Sequence, residues 1–540
     1  MKKYVFLALV LFLSLKLKAQ TPIERPKLVV GIVIDQMRWD YLYRYYDRYE
    51  EDGFKRLIRQ GFSCENTFIN YLPSYTAPGH ACIYTGSVPS VHGIAGNDWI
   101  DNATGRHWYC VEDTLVQPIG GSAKAGKMSP NNLLATTLTD ELRLATNFQS
   151  KVIGIALKDR GSILPAGHLG KAYWYDDSTG NMITSSFYEE KLPKWVQDFN
   201  LRNLPAHYLQ QPWETLYPIE SYTQSLPDNN PYEPVRKKES APVFPHHYDA
   251  GDLGNLRKIP SGNTYTLEAA IAAIQGERLG KNGTDFLCIS LSSTDYIGHY
   301  YTPNSVEAED TYLRLDKDLA AFFLYLDWTL GADNYLVFLS ADHGAAHNSE
   351  FLKDQKIPAG NQSEAKLGKE LNKYLKTKFN HGDLVRGIEN YQVVLHEQNR
   401  TAHKVDREEL KSEIKKWLYG QAHTAYVIDL ENACEEAVPA LIREKAIHGY
   451  NRRRSGSLLI INDPGWYYGY AKTGTTHSTW HPYDTHIPLL FYGWNIPKGA
   501  TNKTYNMEDI AATLAALLHI QMPNGCIGKV ITEVVRPSKK

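Results

Sequence analysis

Four short apolar runs, at 28–34, 151–157, 284–291 and 334–339, are rich in β-branched residues and show no polar alternation. A strand with no polar face is buried on both sides, the situation of a parallel sheet covered by helices. Between the runs lie segments with near-helical apolar spacing, at 39–60, 131–145, 266–279 and 305–329. Strand and helix in alternation predict an α/β fold: a mostly parallel central sheet with helices on both faces. A fifth strand is expected at 487–492 and a closing amphipathic helix at 507–518. For the helix at 131–145, Ser129 reads as the N-cap and Pro130 as the first helical position.

With 540 residues the chain exceeds one simple core. Two stretches break the rhythm. Residues 173–262 are rich in Pro, Tyr and Asn and read as a long irregular insertion, opening with a small hairpin. Residues 357–466 mix helix-like segments (363–379, 406–419, 434–446) with strand-like ones (391–395, 425–428, 457–461). That pattern predicts a small α+β cap inserted between 20–356 and 467–540, which form the main α/β domain. Within the cap, Arg452-Arg453-Arg454 reads as a solvated charge cluster.

The first residues read as a targeting segment. Lys2 and Lys3 precede an apolar run at 4–15, and Leu17-Lys18-Ala19 resembles a cleavage site. Residues 1–19 are therefore expected to be a signal peptide, too short for a membrane span, with Gln20 as the first mature residue. No Cys at the cleavage point supports a lipid anchor. An exported protein of the bacterial periplasm or exterior is expected, with no stable membrane anchor after cleavage. Six cysteines allow fifteen complete pairings, but with no Cys-x-x-Cys a thiolate zinc site is not expected. Cys288, inside an apolar run, reads as a buried thiol. A net charge of −2 with both signs interspersed gives no case for nucleic acid or an anionic membrane as main partner. No feature sets an oligomeric state.

The chemistry-bearing residues gather where strands end. Asp35 follows the first run, Lys158 and Arg160 the second, Asp295 and His299 the third, Asp342 and His343 the fourth. In open α/β sheets, ligands bind at that edge. Asp295 and His299, four apart, share a face on a helical turn, as ligands of one metal would. His477 precedes the fifth strand, with His481 and His486 close behind as rivals. Three Asp and three His suffice for two zinc ions. Two metals about 3.5–4 Å apart clamp the attacking and leaving oxygens of an in-line displacement at phosphorus. Thr76, in Tyr75-Thr76-Ala77-Pro78-Gly79, sits at a strand-to-helix turn whose free N–H groups suit an anion. Taken singly it would be a turn residue, but a metal would lower the pKa of its hydroxyl. Asn97, in the Gly-rich loop at 93–99, is a candidate donor. Lys158 and Arg160 suit a multiply charged anion.

In order, Val33-Ile34-Asp35-Gln36-Met37-Arg38, Tyr75-Thr76-Ala77-Pro78-Gly79-His80, Gly96-Asn97, Lys158-Asp159-Arg160, Ser293-Thr294-Asp295-Tyr296-Ile297-Gly298-His299, Ala341-Asp342-His343-Gly344 and Gly474-Thr475-Thr476-His477 resemble the alkaline phosphatase superfamily. The resemblance is greatest to its phosphate-irrepressible alkaline phosphatase branch and runs over nearly the whole mature chain. It implies a hydrolase that converts small-molecule phosphomonoesters to alcohol and inorganic phosphate through a phosphothreonine at Thr76. It implies one zinc held by Asp35, Asp342 and His343 beside Thr76, and another held by Asp295, His299 and His477 on the side of the leaving oxygen. Asn97, Lys158 and Arg160 would contact the non-bridging phosphoryl oxygens. His477 is preferred to His481 and His486 because it completes the Gly-Thr-Thr-His pattern, and His80 and His347 take supporting roles. Sulfatases of the superfamily mature a Cys or Ser to formylglycine, which Thr76 cannot become. Its phosphodiesterases and nucleotide pyrophosphatases share the Thr and the metals but usually lack the Lys/Arg pair. A monoester is a dianion and a diester a monoanion, so the extra cations favour a monoesterase. The phosphodiesterase reading stands as the alternative, followed by a metal-dependent mutase and a non-catalytic phosphate-binding protein on the same fold.

Overall fold

The computed structural model describes residues 23–237, 239–469 and 472–535, so the leader read at 1–19 lies outside the described residues. An eleven-stranded sheet forms the main body. In chain order its strands are β1 (Leu28–Ile34), β2 (Phe62–Phe68), β3 (Pro118–Ile119), β4 (Val152–Ala156), β5 (Lys171–Asp176), β6 (Asn181–Ser185), β7 (Asp285–Leu291), β8 (Tyr335–Ser340), β9 (His486–Ile487), β10 (Leu489–Gly493) and β11 (Gly499–Asn506). They lie in the order β9-β2-β10-β8-β1-β7-β4-β5-β6-β3, with β11 paired to β2. The four apolar runs become β1, β4, β7 and β8, all fully buried and side by side. β1 lies parallel between β8 and β7, and β4 lies parallel between β7 and β5. The parallel core is flanked by antiparallel pairs at both ends.

Several elements differ from expectation, each for a local reason. The run at 487–492 is split at Pro488, which has no N–H to donate, into β9 and β10, and β10 runs antiparallel to β8. The hairpin expected near 173 exists, but its strands β5 and β6 belong to the main sheet. The helix at 131–145 starts only at Leu138. Thr137 caps it in a capping box with Asp140, while Ser129 Oγ donates to Asp113 (2.6 Å). Segment 39–60 breaks into Tyr41–Arg44, a 3-10 turn at Tyr46–Arg48, and Phe54–Gln60. The long helix Val306–Leu330 begins as expected, with Ser305 Oγ accepting from Ala308 N at 3.0 Å.

Residues of the 357–466 stretch build a four-stranded antiparallel sheet, in the order Val385–Glu389, Gln392–Leu395, Leu458–Asn462 and Thr424–Asp429. Helices Glu364–Phe379, Arg407–Tyr419 and Ala440–Gly449 accompany it, and its apolar side chains form their own cluster. The last helix starts at Ala440 rather than 434, after Pro439.

The arginine triplet is not simply solvated. Arg453 Nε donates to Asp101 (2.5 Å). Arg454 Nη1 donates to the Gly93 and Asn132 carbonyls (2.6 Å each), its guanidinium lying over Trp99. The side chains of two of the three thus tie this stretch to the main body, and Arg452 stays exposed. Arg454→Ala removes a charged donor from two carbonyls and should cost about 2 kcal/mol. Urea unfolding should show a clear midpoint shift for Arg454→Ala and almost none for Arg452→Ala; equal shifts would contradict this assignment.

Candidate active site

The parallel core fixes the geometry. β1, β4, β7 and β8 point the same way, so the residues that follow them share one sheet edge. Asp35 follows β1, Lys158 follows β4, and Asp342 and His343 follow β8. Asp295 and His299 sit in the helix Ser293–Tyr301 that starts just after β7. Thr76 is the first residue of the helix Thr76–Thr85 and is buried. That helix packs directly on the Asp342 strand end: a Cβ at Gly79 would lie 2.6 Å from the Asp342 carbonyl oxygen, so only glycine fits.

Side chains from these ends converge. The donor atoms of Asp295, His299 and His477 lie within 4.8 Å of one another, as do those of Asp35, Asp295 and His343. Asp342 falls outside the second group at that limit, yet its Oδ2 is 3.7 Å from His343 Nε2. On the same nitrogen, Asp35 Oδ1 lies at 3.5 Å and Thr76 Oγ1 at 3.4 Å. Asp35 Oδ1 and Asp342 Oδ2 are both buried with no hydrogen-bond partner. Unpaired buried carboxylate oxygens beside an imidazole nitrogen are costly unless a cation joins them.

The histidines are preset for that cation. Nδ1 of His299 faces the Thr475 carbonyl (2.8 Å), Nδ1 of His343 the Gly344 carbonyl (3.0 Å), and Nδ1 of His477 the Ser74 carbonyl (2.9 Å). A carbonyl only accepts, so each Nδ1 carries the proton and each Nε2 lone pair is left for a ligand. His343 and His477 stack face to face at 3.5 Å. Their rivals do not join the cluster. His486 Nε2 donates to the Glu65 carbonyl (2.8 Å) and its ring stacks on Trp39 and Phe68. His481 packs against Trp480 and Tyr483. His80 is held between the Thr76 carbonyl and Ser290 Oγ, and His347 between Asn304 and Arg38.

Charge balance points the same way. Asp35, Asp295 and Asp342 are buried, and the ammonium that pairs with them is Lys158, which donates to Asp35 (2.7 Å) and Asp295 (2.6 Å). Three carboxylates and one ammonium leave an excess of negative charge in a dry pocket. Burial and the neighbouring Asp35 charge push the Asp342 carboxyl well above its usual range. Burial opposes ionisation of Asp295 too, but Lys158 and His299 outweigh it and hold its pKa well below. Burial pulls His343 and His477 down. For His299 the Asp295 charge outweighs burial and raises it. The residues fit divalent cations in donor type and charge.

A family model, type I phosphodiesterase / nucleotide pyrophosphatase, matches residues 29–484. Alkaline phosphatase PhoV of Synechococcus elongatus is 52% identical over 95% of this chain and 94% of its own. The chain belongs to the alkaline phosphatase superfamily. It is a hydrolase of the alkaline phosphatase type by close homology. The crystal structure of wild-type alkaline phosphatase PafA superposes with a TM-score of 0.94 at 49% identity, covering 96% of this chain and all of that one. PafA has also been solved as a variant in which a threonine, an asparagine, a lysine and an arginine are replaced together. A relative from Myroides odoratus, named a calcium-transporting ATPase, is 51% identical over 99% of both chains.

Within this alkaline phosphatase homologue, residues not singled out from sequence support the site. Gln36 takes a left-handed φ of 66°, rare outside glycine. Its N–H donates to Asp342 Oδ1 (3.1 Å) and its Nε2 to Asp295 Oδ1 (2.8 Å), so one strained residue orients two carboxylates. Tyr109 accepts from Arg160 Nη1 (3.0 Å) and donates to Asp159, aiming the guanidinium. Asn97 Oδ1 accepts from Ala77 N (2.9 Å), which leaves its Nδ2 as the free end. A cavity of about 630 Å³ opens beside Lys158 and Arg160, walled by Tyr109, Trp174 and Tyr296.

Proposed function

We propose that the chain is an exported two-zinc phosphate monoesterase that works through a phosphothreonine at Thr76. The observation that carries this is the placement of Thr76 Oγ1 3.4 Å from His343 Nε2, itself flanked by the unpaired oxygens of Asp35 and Asp342. Asp35, Asp342 and His343 would hold one zinc, and Asp295, His299 and His477 the other. When bound, the zinc ions supply Lewis acidity that lowers the pKa of the Thr76 hydroxyl and of water and offsets charge on the departing oxygen. Thr76 gives its proton to solvent as its oxygen attacks phosphorus, the P–O bond to the ester oxygen breaks, and that oxygen takes a proton from solvent to leave as the alcohol. Water then attacks the phosphothreonine, releasing inorganic phosphate and restoring the Thr76 hydroxyl. Asn97 Nδ2, Lys158 and Arg160 bind the non-bridging oxygens, whose charge they match.

The PafA variant supports the assignment, because its replaced Thr, Asn, Lys and Arg fall in the chain order of Thr76, Asn97, Lys158 and Arg160. The ATP-cleaving part of the Myroides name fits the same chemistry at a terminal phosphoryl group. Among the described residues no helix is long and apolar enough to cross a membrane. We place the cleaved signal peptide at 1–19 and the cap at 357–466 under the same proposal.

The test compares the zinc-loaded protein on an aryl phosphate monoester, diester and sulfate. The monoester should be fastest. Lys158→Ala/Arg160→Ala should cut monoester kcat/KM by about 10²–10³, with a smaller effect on the diester. A diester rate above the monoester rate would hand the assignment to the phosphodiesterase branch.

A further inference from the structure

None of the ten candidate site residues lies in the 357–466 stretch, although that stretch touches the loop that carries Asn97. The contact nearest Asn97 is made by a hairpin. Strands Val385–Glu389 and Gln392–Leu395 pair antiparallel and are closed by Asn390 and Tyr391. Both closing residues have positive φ, 57° and 62°, as a type I′ turn requires. Asn tolerates this conformation; a tyrosine there is strained, and strain of this kind persists only where surrounding contacts enforce it. Those contacts exist. Tyr391 N donates to Glu364 (2.7 Å) and its ring, buried, packs on Tyr468 at 4.7 Å.

The tip of this turn grips the loop that carries Asn97. Asn390 Nδ2 donates to the Asp98 carbonyl at 2.7 Å. On the other side of Asn97, a Cβ at Gly96 would lie 2.8 Å from the same Asn390 nitrogen. Asn390 therefore touches the backbone on both sides of Asn97. From behind, Cys110 N donates to the Asn97 carbonyl (2.9 Å). Beside the turn, Glu389 pairs with His107 at 3.0 Å, a further strut between this stretch and the main body. In front, Asn97 Oδ1 accepts from Ala77 N, the residue after Thr76. A rigid path thus runs from the hairpin through Asn97 to the start of the Thr76 helix.

We infer that Asn390 is a positioning residue for phosphoryl recognition: through the Gly96–Asp98 backbone it fixes the Asn97 amide relative to Thr76. The inference rests on the proposed contact between Asn97 and the phosphoryl oxygens. It gives the cap a role in the reaction without supplying a group that touches substrate. A donor displaced by a fraction of an ångström from a transferring phosphoryl group loses much of its effect.

The test is a double-mutant cycle in the zinc-loaded enzyme with an aryl phosphate monoester, read as kcat/KM and as the inhibition constant of inorganic phosphate. Asn390→Gly removes the amide yet keeps the left-handed backbone accessible, and Asn390→Asp keeps the shape but cannot donate. Each should lower kcat/KM by about 10-fold and weaken phosphate inhibition in parallel. In the Asn97→Ala background, Asn390→Gly should have less than about a 2-fold further effect, because the group it positions is gone. Thermal unfolding of each variant separates positioning from misfolding: a general defect multiplies with Asn97→Ala instead of vanishing. If Asn97→Ala costs activity and Asn390→Gly does not, or if the two losses multiply, the inference is overturned and the reading of Asn97 stands. If Asn97→Ala has no effect, both fall.

Discussion

Thr76→Ala should abolish phosphatase turnover, lowering kcat by at least about 10⁴ on an aryl phosphate monoester. The size follows from its place in the proposed pathway: with no hydroxyl there is no phosphothreonine, and only direct attack by water remains. The fold should be nearly indifferent to the change. Thr76 starts its helix, but the preceding Tyr75 supplies the N-cap and no side-chain cap bond is made. Its Oγ1 makes a 3.4 Å contact with His343 Nε2, too long to hold the structure together. Thermal unfolding should therefore move little, and inorganic phosphate should still inhibit residual activity or bind by calorimetry through Asn97, Lys158 and Arg160. Thr76→Ser should keep measurable turnover and accumulate a phosphoserine detectable by mass spectrometry after acid quench. Turnover by Thr76→Ala within tenfold of the parent enzyme would remove Thr76 from the mechanism.

How much of this could be read beforehand depends on whether the signal is local. Asp35, Lys158, Asp295 and Asp342 each follow an apolar run that declares a buried strand, so the strand and the candidate site residue at its end were visible together. β2 and β11 were not. Phe62–Phe68 is only partly buried and Gly499–Asn506 is mostly exposed, so their strand character comes from pairing with each other and, for β2, with β9 and β10. Ser129 and Pro130 imitate a helix start, but the buried Asp113 carboxylate takes the Ser129 hydroxyl, and Thr137 with Asp140 supplies the working cap. The supporting residues were illegible for a different reason. Gln36 meets Asp295 across 259 positions, and Arg454 meets Gly93 across 361. No local pattern records such a meeting. Asn390 is the sharpest case, since its sequence context describes only a turn, while its consequence lies at the Gly96–Asp98 loop.

Removing the metal should have the other large effect, in two measurements that move independently. A strong chelator should take monoesterase activity to background, and zinc should restore it. Stability should fall at the same time, because a ligand bound only by the folded state contributes about 4 kcal/mol at a thousandfold its Kd. Part of the fall comes from what the cations would offset: three buried carboxylates, of which Lys158 pairs with Asp35 and Asp295. Asp342 is the place to separate the two effects. Its Oδ1 accepts from Gln36 N and His343 N, while Oδ2 has no hydrogen-bond partner, lies 3.4 Å from His80 Nδ1 and 3.7 Å from His343 Nε2, and faces the Asp35 charge. Asp342→Asn keeps the Oδ1 acceptor and removes a carboxyl whose ionisation burial and the Asp35 charge oppose. The chelated Asp342→Asn protein should therefore melt higher than the chelated parent. The zinc-loaded variant should show the reverse: weaker zinc retention on dialysis, a smaller gain in melting temperature from zinc, and lower turnover. The crossing of the two trends is the diagnostic. A residue that merely packs the core would shift both forms the same way, and a chelated Asp342→Asn protein less stable than the chelated parent would rule out a carboxylate held at this position for its charge.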